Sequence, residues 1–349
     1  MHARVPLGVF AVAVLTAATW AQGARTYDIA FVPAKGEPPG IYVLRRNAAT
    51  PTLLVAEANA LLTPSSWSQD GRRLVYSAFG PDGQEVRQKY DLPFHFPLYV
   101  VNVDGSGRAR LLDVPVIPDS RWSPDSTRLA LSSGYEAPNV ADLKVKQNLQ
   151  SFPTAIYIVD VASRSMTRLT PSGDNESPSW SPDGRRVTFS GGMNGERDIY
   201  VVNADGTDMR RLTNEPTADL SPLWSPRGDL IAYAALPRPG RDGAAGIMVI
   251  GTDGTGARRL VEGRASAITW SPDGTRLVVH SPTPVVVSVT SGAETRLADG
   301  ALDEVFASDG TVLYRVNPAR GGAVYAVRPA GGEPQMIVED LTSFAVGPR

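Results

Sequence analysis

An all-β fold made of repeated four-stranded sheets is what the sequence predicts, and three observations carry that expectation. Gly 33 and Pro 29 punctuate 349 residues, and they fall between short runs of Val, Ile, Leu and Tyr, as turn-rich β structure requires. One pattern recurs as Trp67-Ser-Gln-Asp-Gly71, Trp122-Ser-Pro-Asp-Ser126, Trp180-Ser-Pro-Asp-Gly184, Trp224-Ser-Pro-Arg-Gly228 and Trp270-Ser-Pro-Asp-Gly274, at intervals of 55, 58, 44 and 46 residues. Each copy leads into the same succession of strands: Arg185–Ser190, then Asp198–Asn203, then an Asp205-Gly206 turn and a closing strand at Met209–Thr213. Self-similarity at this period marks a repeat architecture, and radial closure of such sheets gives a single β-propeller.

The residues of the motif are those a tight hairpin needs. Pro fixes φ at the second turn position, Asp bonds its own backbone, and Gly takes the left-handed conformation that closes the turn. The tryptophan, at the end of an innermost strand, is expected to wedge between neighbouring sheets, where an aromatic ring buries ~150–250 Å². Phe306-Ala-Ser-Asp-Gly310 is a weaker copy, followed by strands at Thr311–Tyr314 and Ala323–Val327, and Ser343-Phe344-Ala-Val reads as a lone inner strand. Its missing companions stand at the other end of the chain: Tyr27–Val32, Ile41–Leu44 and Pro51–Val55 read as strands two, three and four. Inner strands at Trp67, Trp122, Trp180, Trp224, Trp270, Phe306 and Phe344 predict seven four-stranded blades, closed by pairing of the N- and C-terminal strands.

Residues 1–24 carry Arg4, an apolar run from Val5 to about Trp20 and small residues at Ala21, Gly23 and Ala24, which is the layout of a secretory signal peptide. The apolar run is shorter than the ~20 residues that span a bilayer. The expectation is a signal peptide over 1–24, a propeller over 25–349, no membrane span after cleavage, and a monomer that is periplasmic or secreted. There is no cysteine, so no disulfide and no lipidation at the cleavage point. A formal net charge of -2 with both signs interspersed offers no footprint for nucleic acid.

The string Trp180-Ser-Pro-Asp-Gly-Arg-Arg-Val-Thr-Phe-Ser190, followed by Asp198-Ile-Tyr-Val-Val-Asn-Ala-Asp-Gly206 and Arg211-Leu-Thr213, resembles the WD40-like (PD40) repeat of TolB family propellers. The resemblance extends over about residues 26–349 and implies the propeller fold. TolB itself is a periplasmic component of a cell-envelope system, with an α/β domain ahead of its propeller. Here the repeats begin close behind the signal, so a propeller alone is expected. Similar repeats also precede hydrolase domains in prolyl-oligopeptidase-type peptidases, but the Gly-x-Ser-x-Gly nucleophile turn of those domains does not occur in this sequence.

No cofactor is expected. Beyond the signal the histidines are His95 and His280, which with no thiol make no zinc site of the usual kind, and no Gly-Lys-Ser/Thr phosphate loop is present. Two loops stand out. The segments from about Ala78 to Pro97 and from about Ser133 to Thr154 join strands two and three of adjacent repeats and far exceed the ~2–5 residues of an ordinary hairpin loop. They hold Tyr90, Phe94, His95, Phe96, Tyr135 and Phe152 with three of the four lysines, Lys89, Lys144 and Lys146. Aromatics with a few charges compose protein-binding patches, so these residues are the candidate partner site, for a protein or cell-envelope component. The alternative is that the rings pack the insertions onto the blade rim. A second constellation, Asp119, Glu176, Asp219, Asp303 and Glu304, precedes the inner strands and is expected around one mouth of the central channel, where carboxylates suit a divalent cation. The leading function is a non-enzymatic binding scaffold. Its rival is a metal-dependent propeller hydrolase, lactonase or lyase that uses those carboxylates.

Overall fold

The computed structural model describes residues 27–34, 38–57, 60–79, 97–112, 120–133, 154–171, 173–193, 196–238, 243, 245–263, 267–281, 284–297, 301–316 and 322–347. Over these residues the chain is a β-propeller, with every regular element a strand. Five sheets have four strands each, begun by the inner strands Leu61–Trp67, Arg121–Trp122, Glu176–Trp180, Thr217–Trp224 and Ala267–Trp270. Pairing is antiparallel throughout these sheets, so the chain meanders outward from the axis and then steps to the next sheet.

A sixth sheet has seven strands, and the reason is local. The expected lone inner strand at Phe344 is the second half of one twelve-residue strand, Gln335–Val346. Neither Pro nor Gly interrupts those residues, so nothing stops the strand between its two roles. Its first half pairs with Gly322–Val327 and its second half with Ile29–Pro33, in the register Ile29↔Val346 and Phe31↔Phe344. The first and last strands of the chain therefore lie side by side.

Four of the five tryptophan turns, all but Ser225–Gly228, carry the same Ser-to-Asp hydrogen bond. In Ser181-Pro-Asp-Gly184, the Ser181 hydroxyl donates to Asp183 Oδ1 at 2.6 Å and accepts from the Arg186 amide at 2.9 Å, while Gly184 sits at φ 68°. A residue with a side chain would be strained there. The core lies in the seams between sheets. Val75, Leu98 and Val100 of one sheet meet Trp122, Leu129 and Tyr157 of the next, and Ile199 and Val201 meet Trp224, Ile231 and Tyr233 in the same way.

Two outcomes follow. Deleting residues 343–349 removes the strand that carries the Ile29 pairing and the Ala345 carbonyl that Trp67 Nε1 bonds at 3.3 Å. The thermal midpoint of the truncated protein should fall markedly, whereas an unchanged midpoint would mean the ends do not support the ring. Replacing Trp180, which is 7 % exposed, by Ala should cost ~3–5 kcal/mol in denaturant unfolding.

Candidate functional site

In a four-stranded meander the loops between strands two and three rise on the same face as the segments entering the inner strands. The two long insertions are rooted there. Ser77 pairs with Leu98 at the base of one, and Ser133 pairs with Ala155 at the base of the other. The two sheets are neighbours, since Trp122 Nε1 donates to the Ser66 carbonyl at 3.2 Å. Lys89, Tyr90, Phe94, His95, Phe96, Tyr135, Lys144, Lys146 and Phe152 themselves, with Asp119 and the signal segment, lie outside the described residues.

The other four carboxylates expected at the channel mouth, Glu176, Asp219, Asp303 and Glu304, are described, and each is tied into a local arrangement. Glu176 forms an ion pair with Arg197, with Arg197 Nη2 3.1 Å from Oε1. Asp303 accepts from Arg315 Nε at 2.7 Å and remains exposed. Glu304 lies 2.9 Å from His280 Nδ1, its side chain 1 % exposed, and burial pushes its pKa up while His280 opposes the shift. Asp219 is fully buried; its Oδ1 accepts from the Thr217 hydroxyl at 2.8 Å, and its Oδ2 has no hydrogen-bond partner among the described residues. Among the described residues no three of His, Cys, Asp and Glu gather into a metal-binding group.

Local backbone sets the directions these groups take. The inner strands shift register between Glu176 and Ser179, between Leu220 and Leu223, and between Leu302 and Val305. At these places Ser177, Ser221 and Asp303 have φ of 55°, 51° and 54°. Left-handed residues that are not glycine are uncommon, and a bulge of this kind re-aims the side chains around it.

Sequence reasoning missed one group that organises this face. Asp198 lies in the third strand of its sheet, Glu196–Asn203, and in the sequence reads only as part of the repeat, yet it is buried with Arg211 Nη2 2.7 Å from one oxygen and Arg238 Nη2 3.3 Å from the other. Arg211 also donates through Nε to the Thr213 carbonyl at 2.7 Å, so its guanidinium is held on two sides while the side chain stays 41 % exposed. In front of it opens a cleft of about 630 Å³, lined among others by Pro171, Asn175, Asp198, Tyr200, Met209 and Arg211. Tyr200 stacks on buried Phe189 with centroids 5.5 Å apart, so one wall is rigid. Its volume falls in the range of small-ligand and side-chain pockets.

Residues 147–340 match the family model of the PD40 TolB β-propeller domain. The chain belongs to this family. Over 130 residues it is 32% identical to the uncharacterised protein Atu1656 of Agrobacterium fabrum, a match covering 34% of this chain and 44% of that protein. The curated relatives it matches are thus spanned over less than half their length. TolB from Acinetobacter baumannii shares the fold at a TM-score of 0.53 and 18% identity, with 94% of this chain and 68% of that one covered. An oligogalacturonate lyase in complex with manganese superimposes at 0.63 with 17% identity, over 91% of this chain and 90% of that one. At such identities the likeness of this TolB-family propeller to both is one of fold.

Asp219 makes the site sensitive to pH. Burial pushes its pKa up to about 6, with the Asp198 charge adding to the rise and the Thr213 and Thr217 hydroxyls and Arg238 opposing it. The unfolded chain therefore loses this proton first, so stability from this group is greatest at low pH and falls as pH rises from about 4 through about 6. Replacing Asp219 by Asn should raise the unfolding free energy at about pH 7.5 by ~1–3 kcal/mol. The gain should shrink towards zero near about pH 4. Equal gains at both pH values would assign the effect to packing instead of charge.

Proposed function

We propose that the chain is an exported, non-enzymatic binding scaffold, a seven-bladed ring that recognises a protein or cell-envelope component on the face carrying the strand-two to strand-three connections. The observation that carries this reading is that, over three successive sheets, the strand ends from which the two long insertions leave and a rigid-walled cleft share one face. Functional residues concentrate on loops held by a rigid scaffold, and aromatic anchors beside a preformed pocket are how protein surfaces gain affinity. Seven blades follow if the shared strand Gln335–Val346 counts once in each of two sheets, which divides the seven-stranded sheet into a complete outer set and a ring-closing set. The layout of residues 1–24 supports export ahead of a mature monomer without a membrane span.

The ion pairs of Glu176, Asp303 and Glu304 favour the scaffold over a metal-dependent hydrolase, lactonase or lyase. A carboxylate already held by an arginine or histidine has less charge left to offer a cation.

Capture from an envelope fraction with the mature protein as bait identifies the partner. If the insertion rings anchor it, Phe94→Ala or Phe96→Ala should weaken binding by ~2 kcal/mol or more while leaving the unfolding midpoint nearly unchanged. Replacing Lys89, Lys144 and Lys146 together should slow association and flatten its salt dependence when the partner surface is acidic. Lost stability with intact affinity would show that the rings only pack the insertions to the rim, and unchanged affinity in all five substitutions would remove this face as the site.

A further inference from the structure

The seam between the Trp180 and Trp224 sheets differs from its neighbours. At four other seams the indole N–H of the ring tryptophan donates to a backbone carbonyl of the preceding inner strand, at 3.0 to 3.3 Å. Trp224 Nε1 is buried with no hydrogen-bond partner among the described residues. The outer end of this seam carries a buried polar cluster, formed by Asp198 and Arg211 from one side and Thr217, Asp219, Tyr233 and Arg238 from the other. Three of its atoms have no hydrogen-bond partner among the described residues: Asp219 Oδ2, Arg238 Nε and the Tyr233 hydroxyl.

A buried acceptor and a buried donor left over in one cluster is costly unless another arrangement of the same groups satisfies them. A second pairing of the same groups would satisfy them. Asp198 here holds two guanidiniums, Arg211 and Arg238, while Asp219 holds none. With Asp219 protonated, the two arginines face a single carboxylate and the cluster carries one uncompensated positive charge. With Asp219 ionised, Arg238 is drawn to it, Asp198 keeps Arg211, and the charges balance pair by pair. Among the described residues, the other charged groups facing the cluster are Glu215, whose charge reaches Tyr233, Glu196 on the cleft wall, and Arg197, already paired with Glu176. Arg238 additionally donates to the Arg197 carbonyl at 3.0 Å, which keeps it at this junction in either state.

We propose that the cleft in front of Arg211 is a proton-coupled carboxylate site, in which Asp219 takes a proton from solvent, Arg238 settles on Asp198, and the unbalanced charge of Arg211 receives an acidic side chain or terminal carboxylate of a bound protein. The geometry suits that ligand, because the Arg211 guanidinium is fixed by Asp198 and the Thr213 carbonyl, and a planar guanidinium held in place is a ready carboxylate receptor. Tyr200 and Met209, the latter 45 % exposed, supply apolar wall for the stem of an acidic side chain. The raised pKa of Asp219, about 6, sets the range in which the site works. By linkage, carboxylate binding and Asp219 protonation strengthen each other equally. The role of this site in recognition rests on the binding-scaffold reading; the proton coupling itself does not.

The test is an NMR titration of the full chain, labelled with ¹⁵N-arginine, with sodium formate as the probe. The Nε–H signal of Arg211, identified by its absence in Arg211→Gln, should move on adding formate with an affinity at least ~5-fold tighter at about pH 5 than at about pH 7.5. Asp219→Asn, which fixes the uncharged state, should bind formate tightly at both pH values, and His280→Gln should leave the pH dependence in place. Equal affinity at the two pH values in the unmodified chain would overturn the proposal. So would a pH dependence that persists in Asp219→Asn or disappears in His280→Gln. Because the probe needs no partner, failure here leaves the loop-face reading standing, and failure of partner capture leaves this one standing.

Discussion

Everything on this propeller depends on how one sheet is locked to the next, and the lock is the ring tryptophan. Burying ~150–250 Å² of aromatic surface at ~25 cal/mol/Å² contributes ~4–6 kcal/mol per seam, whereas the accompanying N–H bond adds ~1 kcal/mol. The wedge therefore supplies the adhesion and the hydrogen bond fixes its orientation. An arginine from the second strand of the preceding sheet completes several seams: Arg73, Arg128 and Arg186 lie 5.0, 4.8 and 4.9 Å over the rings of Trp122, Trp180 and Trp224. That contact explains why the motif is so often followed, two residues beyond its turn, by arginine.

Seams of this kind leave their outer ends open to chemistry. The apolar wedge sits toward the face of the motif turns, and on the opposite face stand ion pairs whose composition changes from sheet to sheet. Glu176 with Arg197, Asp198 with two arginines, and Glu304 with His280 occupy comparable places. A rigid repeat thus supports a variable face, and the left-handed bulges at Ser177, Ser221 and Asp303 let inner-strand carboxylates take part in it.

The fold was legible in the sequence because each of its devices is local. Pro-Asp-Gly closes a hairpin over four residues, and Trp announces a seam by size alone. The continuity of Gln335–Val346 was not legible, since one long strand paired at its two halves with different neighbours differs from two short strands only by the absence of a turn signal. At the site, Glu176, Asp219, Asp303 and Glu304 stood out as acidic residues ahead of inner strands, but the charged partners of Glu176, Asp303 and Glu304 are 12 to 24 residues distant, and Asp219 takes only the Thr217 hydroxyl from its own strand. Asp198 was hidden for a different reason: it occupies a repeat position that any strand-opening polar residue fills, and only the seam reveals the two arginines around it.

Which face meets the partner decides how the propeller works, and site-specific photo-crosslinking in cells reads that face. A photoreactive residue at Pro171 or Glu196 stands beside the cleft, whereas one at Ser106 or Thr207 stands on the Asp-Gly turns of the opposite face. The cleft positions should give one discrete crosslinked species and the turns none. The same species arising from Ser106 or Thr207, with the cleft positions silent, would contradict this.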